Sequence, residues 1–178
     1  MPRKSLESRT DEKLRYAQIH LEELQQCPRW DPAQPFVTAH EEAILYQVIS
    51  ARDAFLQEIN AAYGLGLSLD EVRLDTVRKA LQQQKKTSPA FDEIYRLSYR
   101  RPKKRWSWLG MTLEIRDHGA HRARPPREYF EGGPEHGTIR YRSPRYRRKI
   151  KEDIPTFLGS AIAKMDDLIR RLRRTLPP

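Results

Sequence analysis

The chain has 178 residues, 38% of them hydrophobic and 33% charged, and carries a formal net charge of +10 at pH 7. That length suits one domain with a sizeable core, and long periodic segments argue against general disorder. No apolar run approaches the roughly 20 residues that cross a bilayer, and "MPRKSLESRTDEK" offers no apolar stretch for a secretory leader; a cytoplasmic chain that meets no membrane is the expectation.

Thr10 predicts the N-cap of a first helix running from Asp11 to about Cys27, with Asp11 and Glu12 at the positive end of its dipole. Leu14, Ala17, Leu21 and Leu24 recur at spacings of three and four and mark its apolar face. Cys27 is the only cysteine, so no disulfide can form within the chain, which fits a reducing compartment. "CPRWDPAQPF" then breaks the helix with three prolines. Thr38-Ala-His-Glu41 has the form of a capping box, and Ile44, Leu45, Val48, Ile49, Phe55, Leu56 and Ile59 follow with helical period. This second helix is expected from Ala39 to about Tyr63, some 37 Å long at about 1.5 Å per residue, and Gly64 and Gly66 end it.

A second capping box, Ser68-Leu-Asp-Glu71, predicts a third helix to about Gln84, with Val72, Val77 and Leu81 inside. Ser88-Pro89 reads as N-cap and first residue of a fourth, carried by Phe91, Ile94, Tyr95 and Leu97. Beyond Pro102 a fifth helix is expected from about Lys103 to Asp117, with Trp108, Met111, Leu113 and Ile115 as core and Gly119 as its end. "REYFEGGPEHGTIRYR" predicts a hairpin, Glu128–Glu131 against Thr138–Arg142, followed by the basic linker "SPRYRRKIK". A last helix spans about Asp153 to Thr175 on a nearly unbroken stripe of Ile154, Phe157, Leu158, Ala161, Ile162, Met165, Leu168, Ile169 and Leu172. The fold expected is therefore all-α: a bundle of five or six helices in one domain over 1–178, with 122–150 as a basic hairpin and linker insertion before the last helix.

Charge is concentrated in one stretch. Residues 100–149 hold 15 Lys and Arg against 5 Asp and Glu, whereas the rest of the chain balances at 19 of each. Such a cationic field attracts polyanions. Arg122, Arg124, Arg127, Arg140, Arg142, Arg145, Arg147 and Arg148 are the candidate nucleic-acid ligands, interleaved with Tyr129, Phe130, Tyr141 and Tyr146, which either pack the hairpin or stack on bases. The bland alternative is a solvated surface. The five histidines show no His-x3-His or Cys/His spacing, and no phosphate-binding, dinucleotide or serine-hydrolase motif is present, so no metal and no cofactor is expected.

Arg116 and His121 bracket "RDHGAH". Arginine can hold a phosphate bidentately, and histidine can move a proton near neutral pH, a combination suited to metal-free RNA cleavage. Five residues apart on a continuous helix, the two would point about 140° away from each other. They converge only if the chain bends at Gly119. Asp117 could orient either one. The plainer reading pairs Arg116 with Glu114 or Asp117 and leaves His118 facing solvent. Arg15 and His20 share the spacing but sit in mid-helix.

With these residues the chain resembles the HEPN domain superfamily. Arg116 matches the arginine of that family's R-x4-6-H motif, Asp117 the polar residue after it, and His121 the histidine. The resemblance implies a helical bundle that forms a homodimer and faces its two motifs across the interface. It implies a metal-independent endoribonuclease, with RNA as substrate and an antitoxin-type protein as a further partner. Outside the motif the similarity is architectural and covers Thr38 to Leu176. The hairpin departs from the family, in which the last helix follows soon after the motif. A non-enzymatic helical module that binds nucleic acid or a protein is the alternative, and an assembly protein whose last helix completes a dimer is a third.

Overall fold

Capping side chains fix where three of the helices begin. Ser88 Oγ accepts the Phe91 N–H at 3.2 Å, Ser107 Oγ accepts that of Gly110 at 2.9 Å, and Asp153 accepts that of Thr156 at 2.8 Å. A computed structural model of the chain describes residues 3–27, 35–98, 107–121, 127–130, 134, 137–142 and 150–178. Among these, six helices and two strands follow in order: α1 (Arg3–Gln25), α2 (Pro35–Ala62), α3 (Leu74–Gln83), α4 (Pro89–Ser98), α5 (Trp108–His121), β1 (Arg127–Tyr129), β2 (Ile139–Tyr141) and α6 (Ile154–Arg173). The expected all-α bundle with a small hairpin before the last helix is what forms.

α1 and α2 make the most extensive helix pair, and α6 packs on both. α5 lies against α2 and α4. The apolar stripes predict the core well. Leu14, Ala17, Leu21 and Leu24 are buried, as are all seven positions named for α2 and all nine named for α6. Trp108 and Met111 pack at its margin.

The ends differ from expectation in instructive ways. α1 begins at Arg3, and Thr10 is wholly buried within it rather than capping it. α2 begins at Pro35, a residue whose missing N–H suits a first turn. Thr38 therefore lies inside the helix, and Glu41 turns into the core instead of closing a capping box. Only half of the Ser68–Glu71 box forms: Glu71 Oε2 accepts from the Ser68 N–H (2.9 Å) and hydroxyl (2.6 Å), while the Glu71 N–H goes to the Ser68 carbonyl (3.1 Å). It closes a turn, however, and α3 starts only at Leu74. α5 begins at Trp108 rather than near Lys103, because Ser107 supplies the cap. The strands pair Arg127 with Tyr141, Glu128 with Arg140 and Tyr129 with Ile139, one residue earlier on β1 than predicted.

Ser107 also donates to the Leu97 carbonyl, so one hydroxyl ties the end of α4 to the start of α5. Ser107→Ala should cost about 1 kcal/mol, read as a lower urea midpoint at an unchanged slope.

Candidate functional site

The hairpin is mounted on the bundle by its inner face. Glu41 is 1% exposed, and its carboxylate accepts from the guanidinium of Arg127, the first residue of β1. Tyr141, cross-strand from Arg127, is buried and meets the Phe157 ring edge-on, with centroids 5.5 Å apart. Burial raises the Glu41 carboxyl above the usual carboxylate range, and the charge and hydrogen bond of Arg127 offset only part of this. Burial likewise pushes the Tyr141 hydroxyl well above its ordinary value, and the neighbouring Glu41 charge adds to the effect. Position 41 shares the helical stripe of Val37, Ile44 and Val48, which is the signal in the sequence that it faces inward.

Alternation along the strands then fixes what faces outward. Ile139 and Tyr141 point in, and Arg140 points out beside Glu128 and Phe130. The Arg140 guanidinium lies over the Phe130 ring, 4.6 Å from its centroid. Arg142 is exposed just beyond β2, and Tyr129 is 54% exposed at the other end of the ladder. Of the predicted phosphate ligands, the half-buried Arg140 and the exposed Arg142 thus lie on the outer side, whereas Arg127 is turned inward and engaged by Glu41. Arg122, Arg124, Arg145, Arg147 and Arg148 lie outside the described residues.

The bend expected at Gly119 is absent. α5 runs through that glycine to His121, and Gly119 does not adopt the left-handed backbone that ends helices. It lies instead in a groove of about 440 Å³ between α2 and α5, with Ala39, Ala43, Tyr46, Ile115 and Arg116. On this continuous helix positions 116 and 121 stand about 140° apart, and position 121 shares a face with positions 114 and 117. Arg116 is half-buried and pairs with Asp117, Nε to Oδ1 3.2 Å, as the plainer reading expected. His118 is half-buried rather than solvent-facing, and its Nδ1 has no hydrogen-bond partner among the described residues. The His121 side chain lies outside the described residues. One chain therefore does not bring its arginine and histidine into one hollow by a helix-ending turn. No protein-family model matches the chain, and comparison with curated proteins and with solved structures found no match either.

Proposed function

We propose that the protein is a helical module that binds single-stranded nucleic acid, RNA foremost, through the outer side of the hairpin and the basic stretch around it. The observation that carries this reading is the mounting of the hairpin: Glu41, Arg127 and Tyr141 hold its inner face, so that Arg140 and Arg142 are presented outward from a fixed base. The same stretch contains the entire net positive charge of the chain. Guanidinium groups bind phosphates with strong salt dependence, and the Phe130–Arg140 stack on the outer side supplies a surface for bases. Arg122, Arg124, Arg145, Arg147 and Arg148 share this role by their place in the sequence.

A second reading adds cleavage, as the HEPN resemblance implies. The half-buried position of Arg116 at the rim of the α2–α5 groove favours it. Because α5 is continuous, this reading draws the arginine from one copy of a homodimer and the histidine from the other.

Fluorescence anisotropy with a labelled single-stranded RNA across a range of salt tests both. Arg140→Ala with Arg142→Ala should weaken binding and lower the salt slope by about 0.7 for each phosphate that is no longer neutralised. Replacing Arg145, Arg147 and Arg148 should do the same. Unchanged affinity in both sets overturns the binding proposal. If the wild type cleaves the RNA, Arg116→Ala and His121→Ala should each abolish cleavage at retained affinity; an uncut RNA ends the second reading alone.

A further inference from the structure

Two histidines twenty residues apart in the sequence meet where the end of α1 passes the start of α2. The Nδ1 atoms of His20 and His40 are 3.2 Å apart, and their rings stand edge-to-face with centroids 5.1 Å apart. Phe36 packs on His40 at 4.3 Å between centroids and backs that ring from within α2. Both imidazoles are half-buried, so they are held by their helices yet open to solvent.

From this geometry we infer that His20 and His40 form a two-imidazole clasp for a late first-row divalent cation such as Zn²⁺, Ni²⁺ or Cu²⁺. Metal–imidazole bonds of about 2.0–2.1 Å to two nitrogens at the observed separation subtend an angle of about 100°, close to the tetrahedral value. Nitrogen ligands of this kind select such cations over Mg²⁺ or Ca²⁺. Binding requires the Nε2–H tautomer of both rings and a turn of each ring that aims its Nδ1 lone pair at the shared ion. Glu23 lies one helical turn beyond His20 and interacts with it electrostatically, adding negative charge nearby. Among the described residues no third His, Cys, Asp or Glu side chain joins the pair in a group suited to a metal, so two imidazoles are the ligands proposed. The bound ion would cross-link α1 to α2 at the end of their hairpin and stabilise the folded state by mass action.

Thermal unfolding of the full chain with Zn²⁺, Ni²⁺ or Mg²⁺ as separate additions tests this. Zn²⁺ and Ni²⁺ at hundredfold excess over Kd should raise Tm by about 5 °C or more, Mg²⁺ should have no effect, and His20→Gln and His40→Gln should each remove the rise. Cu²⁺ bound to the wild type should show the electron-spin signature of two imidazole nitrogens, reduced to one in either variant. This second readout is independent of how either substitution affects folding. Undiminished Zn²⁺ or Ni²⁺ stabilisation in both variants, or a Cu²⁺ spectrum unchanged by them, overturns the proposal, as does the absence of any shift in the wild type. None of these outcomes bears on RNA binding.

Discussion

Arg173→Ala should lower the unfolding free energy by about 3–5 kcal/mol. The guanidinium forks onto Glu58, Nε to Oε2 2.9 Å and Nη2 to Oε1 2.8 Å, and Nη1 reaches Asp11 at 2.8 Å. Burial by itself disfavours the Arg173 charge, yet the hydrogen bonds and charges of Glu58 and Asp11 outweigh it and hold the proton more tightly than in free arginine. The Glu58 side chain is 3% exposed, so removing Arg173 strands a carboxylate out of reach of water. Asp11 differs, since its side chain is 56% exposed, and Asp11→Ala should cost at most about 1 kcal/mol. Replacing Arg173 and Glu58 together by methionine should recover most of the loss, because no charge is then left buried. Urea unfolding of the three variants separates these cases. A loss of under about 1 kcal/mol for Arg173→Ala would mean that water reaches Glu58.

Arg127→Ala should be mild in acid and more costly at neutral pH, where the added loss reaches at most about 3 kcal/mol. The sign follows from Glu41. Its carboxyl already binds a proton more tightly in the folded state than in the unfolded one, where 4.5 is the reference value. Well below that pH both states are protonated and the group adds no pH dependence to stability. Above it the unfolded state releases the proton first, so this group makes stability fall as pH rises until the folded carboxyl ionises too. Without Arg127 the folded value climbs further, and the fall is deeper and extends to higher pH. Glu41→Gln in the same background removes the titrating group and should flatten the profile. Stability measured by urea unfolding from acid to neutral pH reads this directly. Arg127→Ala should also weaken RNA binding, since the hairpin loses its tie to α2, although Arg127 itself faces no phosphate.

The apolar periodicity in the sequence was sufficient for the core. The stripe from Ile154 to Leu172 is buried at every predicted position, because a 20-residue helix has little freedom in which face it hides. Local punctuation was less decisive. Gly119 has the residue type of a helix end, but α5 continues through it to His121, since glycine's backbone freedom permits a turn without requiring one. Thr38 and Glu41 have the spacing of a capping box, but the helix opens earlier, at Pro35, and the acid is drawn to an arginine 86 residues away. That partnership, the Arg173 network and the meeting of His20 with His40 were illegible for one shared reason. Each depends on which helices become neighbours, and no spacing within a single element encodes that.

The Arg173 ties span 115 residues to Glu58 and 162 to Asp11, so they can close only after α6 has been synthesised. As the nascent chain leaves the ribosome, α1 and α2 can pair early, but their two acidic groups then await a cation at the far end of the last helix. Until it arrives the buried Glu58 carboxylate of the helical hairpin lacks its guanidinium partner, so this network depends on contacts of high sequence separation.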